Sequence, residues 1–156
     1  MLRVEDKARV RKGEHMIGYV SALAVLGICS YEDIKNRSVH TGLLLLFTIE
    51  GILLWVFAEK HPVVEIVQAI LPGLSVLLAA FITKGSIGEG DGVILLIIGL
   101  LLGGACALRI FMYALFFCAC YAIFLLIIRK KNRKYEIAFV PFMLLAYIGE
   151  VALQNL

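Results

Sequence analysis

Charge is what this sequence has least of: Asp, Glu, Lys and Arg make up 17% of 156 residues, while 62% are hydrophobic. A soluble domain is about a quarter charged and about half apolar, so a water-soluble globular class is excluded. Cysteine is sparse and unpaired in pattern. Cys29, Cys106, Cys118 and Cys120 all fall inside apolar runs and no CxxC occurs, which excludes a zinc knuckle and a disulfide framework. On a helix Cys118 and Cys120 point to nearly opposite faces, so neither a metal nor a cofactor is expected. Low-complexity linkers and internal repeats are also lacking, and one domain is the natural reading at this length. A net charge of +3 carries no nucleic-acid signature, and no nucleic-acid partner is expected.

What is present is long apolar runs. After a polar, mixed-charge tail at 1–15, they fall at roughly 16–31, 42–58, 63–83, 93–108, 110–128 and 137–153. A spanning helix needs about 20 residues, with about 17 at the lower limit, and flanking residues with local bilayer thinning accommodate the shorter runs. The expectation is an all-α membrane protein, a polytopic bundle of about six transmembrane helices, with residues 16–156 as a single transmembrane domain. Only the neighbourhood of Arg109 separates the fourth and fifth runs, so five or seven spans are the alternatives to six. The first run is longer than a secretory h-region, and Leu26-Gly27-Ile28-Cys29 lacks the small residue that precedes a lipobox cysteine, so no cleavage is expected there.

Lys and Arg mark the loops that stay cytoplasmic. In a six-span chain the first, third and fifth connections share a face, and they carry Lys35, Arg37, Lys84, Arg129, Lys130, Lys131, Arg133 and Lys134. That face is assigned to the cytoplasm. The tail opposes the assignment, because Arg3, Lys7, Arg9, Arg11 and Lys12 then lie outside.

Ionisable residues within or at the edge of spans are costly and default to a functional hypothesis. Asp33 follows the first run and Asp91 precedes the fourth. Two spans separate them, so parity returns both to one face of the membrane. Carboxyl groups that meet there share a proton and titrate as a pair. One takes a proton from water while the other polarises a peptide carbonyl, which is aspartic-protease chemistry. The glycines of Gly88-Glu89-Gly90-Asp91 leave backbone accessible to an extended substrate.

Gly88-x-Gly90-Asp91 opening a membrane segment, with an earlier Asp after the first span, resembles the type IV prepilin peptidase family, the GxGD class of membrane aspartic proteases. The match extends to Arg37, four residues after Asp33, to Val39, and to Ala138-Phe139-Val140-Pro141-Phe142 near the end. His40 and Thr41 stand where the family has Pro and Asn. Gly92-Val93 lacks the lysine that many members carry after the second Asp, and Val140 replaces a glycine. The resemblance implies removal of a short basic leader from prepilin-like precursors (type IV pilin, pseudopilin or flagellin-like) at the cytoplasmic surface of the cell membrane. It implies Asp33 and Asp91 as the catalytic pair, with Gly88, Glu89, Gly90, Arg37 and Glu32 shaping the site or receiving the leader. Larger members add a methyltransferase region with a cysteine-rich zinc element, which this chain has neither the room nor the cysteines to hold; peptidase activity alone is implied.

Two rival readings come from other classes. One is an assembly component of a pilus or secretion system that kept the fold without activity, and the altered positions around 40 and 92 favour it. The other is a small proton- or cation-coupled transporter using Asp33, Glu50 and Asp91, although transport carboxylates cluster near the midplane. Glu50 lies about 14 Å along its helix from Thr41, and a protonated glutamate bonded between helices is its simpler reading. His40 reads as structural. Pro72 is expected to kink its helix, and Pro141 fits a helix start.

Overall fold

A computed structural model of the chain describes residues 2–36, 39–57, 63–83, 88–128 and 137–154. It contains six helices and, among the described residues, no strand: α1 (Leu2–Asn36), α2 (Thr41–Phe57), α3 (Val63–Ile82), α4 (Glu89–Leu102), α5 (Gly104–Ile128) and α6 (Val140–Gln154). Among the described residues three stretches are long and apolar enough to cross a membrane, Met16–Asn36, Val64–Ile82 and Gly104–Leu125. Thr41–Val56 and Val140–Leu153 are apolar but shorter.

α4 is the hub. It packs against α1, α2, α3 and α5, while α6 closes the bundle against α1 and α5. A helix that is apolar on every side belongs in the interior, and Ile94, Leu95, Ile97 and Ile98 are fully buried. With 14 residues α4 is only about 21 Å long, so the surrounding helices shield most of it.

α3 packs tightly on α4 and on the start of α5, and the cause is local. Pro72 has no N–H and cannot bond the carbonyl of Gln68, four residues earlier. α3 runs on through Pro72, and Gly104 lies directly against that Gln68 carbonyl. Gly99 sits on the Ala69 carbonyl in the same way, and a Cβ on Gly73 would lie 2.5 Å from the Leu96 Cα. Glycine is what lets these backbones touch.

Two boundaries differ from those the sequence suggests. α4 ends at Gly103, not near Arg109, because Gly103 takes φ +87°, a conformation that side-chain-bearing residues avoid. Arg109 instead lies well inside α5, where its Nε donates to Glu150 Oε1 at 2.7 Å. At the other end, α1 extends back to Leu2, so residues 2–15 continue the helix. Ala, Lys, Arg and Glu in that stretch are good helix formers, and lack of hydrophobicity ends a span without ending a helix.

Polar groups inside the apolar bundle are paired. Ser21 Oγ donates to Glu50 Oε1 between α1 and α2, the interhelical bond that the simpler reading of Glu50 anticipates. Trp55 Nε1 donates to the Leu100 carbonyl at 2.5 Å, satisfying one of the orphan carbonyls at the end of α4. Tyr147 Oη donates to the Tyr19 carbonyl at 2.7 Å. Among the described residues no buried side-chain nitrogen or oxygen lacks a partner.

Candidate functional site

Three helix ends converge at one end of the bundle: the last turn of α1 and the first turns of α4 and α6. Asp33 sits in the first of these. A carboxylate at a helix C-terminus faces the negative end of the dipole, so α1 alone places it badly. The compensation comes from α6, because the backbone N–H of Val140, the first residue of that helix, donates to Asp33 Oδ2 at 3.1 Å.

Asp91 lies in the first turn of α4, ahead of the apolar run that begins at Val93. Its N–H donates to the Gly88 carbonyl at 3.2 Å. Gly88 is the N-cap, offering no side-chain cap, and Glu89 and Asp91 both fall in the opening turn, where negative charge is favoured. Burial, and then the charge of Asp33, push the Asp91 carboxyl from 3.8 up to about 7. The two carboxyls are therefore within electrostatic reach, and a proton on Asp91 relieves both burial and repulsion.

The glycines before Asp91 differ in what surrounds them. A Cβ on Gly88 would lie 2.7 Å from Asp91 Oδ2 and 3.3 Å from its Cγ, whereas one on Gly90 would meet nothing within 4 Å. Gly88 abuts the carboxyl, and a Gly90 Cβ would face open space. Gly92 faces α3, where a Cβ would lie 2.8 Å from Leu77 Cγ.

The remaining sequence-predicted residues divide. Glu32 Oε2 accepts the His40 backbone N–H at 2.8 Å, and Oε1 lies 3.8 Å from His40 Nδ1. Glu32 thus ties the end of α1 to the start of α2. Glu89 is exposed at the mouth of the site. Arg37 lies outside the described residues, as do Lys84 and the basic stretch 129–136. Among the described residues no group of three or more His, Cys, Asp or Glu is arranged to hold a metal ion.

Two neighbours of the pair are not singled out by the sequence. Cys118 of α5 lies within electrostatic reach of Asp91, and Val140 reaches Asp33 through a backbone atom. A backbone donor has no letter of its own; the nearest signal is Pro141, which marks the start of a helix. Cys29, one turn before Asp33 on α1, is fully buried.

Residues 20–123 match the type IV leader peptidase family. No curated protein and no solved structure matches the chain. The matched stretch holds Asp33 and Asp91 and covers well over half of the sequence, so the chain belongs to the type IV leader peptidase family. Membership implies a peptidase and, with the three apolar helices, a membrane protein.

Proposed function

We propose that this member of the type IV leader peptidase family is an aspartic endopeptidase that removes the leader from prepilin-like precursors, with Asp33 and Asp91 as its catalytic pair. The observation that carries the reading is that Asp33 and Asp91, on separate helices, meet at one end of the bundle, close enough for the charge of Asp33 to act on the buried Asp91 carboxyl. At neutral pH such a pair holds one proton between its members. The ionised carboxyl takes a proton from water, whose oxygen attacks the scissile carbonyl. The protonated carboxyl hydrogen-bonds that carbonyl oxygen and stabilises the charge developing on it. Collapse of the tetrahedral intermediate breaks the C–N bond, and the leaving amine takes a proton from the pair.

The remainder of the proposal follows the same geometry. All six helices span a locally thinned bilayer, residues 16–156 form one peptidase domain, and the Asp33–Asp91 end faces the cytoplasm. The basic connections support that orientation. Gly90 leaves room for extended substrate backbone, and Glu89, Glu32 and Arg37 border the entrance. Exposed Glu89 attracts a basic leader.

Co-expression with a type IV pilin, pseudopilin or flagellin-like precursor tests the substrate class. The expected result is a shortened product whose new N-terminus lies just before its hydrophobic helix. A panel of such precursors left uncut, with the protein folded and in the membrane, would favour the assembly-component reading.

A further inference from the structure

The two carboxyls are chemically equivalent in sequence, yet their surroundings differ in a way that bears on which one does what. Asp33 accepts a backbone N–H from the first residue of α6. A hydrogen bond donated to an anion stabilises the charged form, and the start of a helix adds the favourable end of its dipole. Asp91 has the start of its own helix, α4, in its favour, but among the described residues it receives no hydrogen bond from another helix, and it lies against Gly88 and near the Cys118 thiol.

Resting on the catalytic pair proposed above, we infer that the Val140 N–H is a positioning group that makes Asp33 the ionised, water-activating member and leaves the proton on Asp91. The division of labour then comes from α6, a helix lying beyond the stretch matched to the family. Proton transfer is balanced: Asp33 gains the proton that water loses, and Asp91 keeps its own while it bonds the substrate carbonyl.

Among the described residues, other charges do not offer an alternative source of the asymmetry; α3, packed on α4, carries only Glu65, about 18 Å along that helix from Leu77, the residue that meets Gly92. On α1, Glu32 is held by His40 and Lys35 lies over the Tyr31 ring at 5.7 Å. Described α2 has one charged residue, Glu50, bonded to Ser21, itself about 18 Å along α1 from Asp33. On α4 the only other acid is exposed Glu89. On α5, Arg109 is taken up by Glu150 of α6, about 15 Å along that helix from Val140. Tyr147 of α6 is turned to Tyr19.

The test replaces the Val140 amide by an ester, using the α-hydroxy analogue of valine, in the full chain reconstituted in lipid vesicles with a cleavable precursor. This removes the N–H and keeps the side chain. Val140→Pro, allowed in a first helical turn, removes the same donor genetically, and Val140→Ala keeps it. The expected result is a rise of about one pH unit in the acidic limb of the cleavage profile for the ester and for Val140→Pro, the size of one hydrogen bond to a charged acceptor. Val140→Ala leaves the limb in place. An acidic limb that stays put in the ester, with only a uniform loss of rate, overturns the inference and makes the contact merely structural. Asp33→Asn and Asp91→Asn are assayed alongside. If either still cleaves, the catalytic pair itself fails; if both are dead and the ester's limb is unmoved, only the role of Val140 fails.

Discussion

Replacing Gly88 by alanine adds one methyl group and, by the geometry of the α4 N-terminus, aims it at the Asp91 carboxyl. The new Cβ would stand 2.7 Å from Oδ2 and 3.3 Å from Cγ, against ordinary van der Waals separations of about 3.4 Å or more. Relief requires the carboxyl to retreat by roughly half an ångström or more, which a side-chain rotation achieves at little cost to the fold. Catalysis is less tolerant, since a displacement of about 1 Å from productive geometry costs about a hundredfold. The expected effect is a fall in kcat of about tenfold or more, with thermal stability unchanged. Gly90→Ala is the matched comparison. Its Cβ meets nothing within 4 Å, so fold and kcat are preserved, while the methyl group enters the space proposed for substrate and raises KM. Steady-state cleavage of a precursor by the purified variants measures both. Wild-type kcat in Gly88→Ala would refute the steric argument, and a tenfold loss of kcat in Gly90→Ala would show that the open side of Asp91 has been misassigned.

Further outcomes follow from the same structure. Gly99→Ala places a methyl on the Ala69 carbonyl at the α3–α4 seam, and thermal unfolding in detergent should register a loss of at least the roughly 1–3 kcal/mol typical of overpacking. Gly103→Ala forces a side chain into φ +87° and should cost about 1–3 kcal/mol by the same measurement, with the site end of the bundle intact. Arg109→Ala removes the charge partner of buried Glu150 and should cost about 1–3 kcal/mol, most of it recovered in the double variant with Glu150→Leu. The raised Asp91 carboxyl makes the folded state bind more protons than the unfolded state between about pH 4 and pH 7, so stability falls as pH rises through that window. Asp91→Asn should flatten this dependence in melting curves recorded across it. Wild-type cleavage should decline as the pH passes 7 and Asp91 loses its proton.

The helices were legible in the sequence because the bilayer demands long apolar runs, and α2 and α3 fall close to where those runs lie. Their ends were less legible. Arg109 looks like a span boundary to any reading that counts charge, yet Glu150 of α6 pairs with it across the helix interface, a contact between residues 41 apart in the chain. The true break depends on Gly103, one of several glycines in the region and the one whose backbone turns positive. Residues 2–15 read as a tail because they are polar, but helix propensity does not require hydrophobicity. At the candidate site, parity was enough to suggest that Asp33 and Asp91 share a face, since it needs only a count of spans. The Val140 N–H, the tie between Glu32 and His40, and the approach of Cys118 follow from how helix ends meet. Nothing in local sequence encodes that.

The central claim is that Asp33 and Asp91 together activate the water that cuts the leader. Single-turnover cleavage of one precursor by wild type, Asp33→Asn and Asp91→Asn, each reconstituted in vesicles and matched for folding by thermal melting, tests it most directly. The account predicts product from wild type and none from either variant over the same time course. Cleavage by either asparagine variant at a rate near wild type would contradict it.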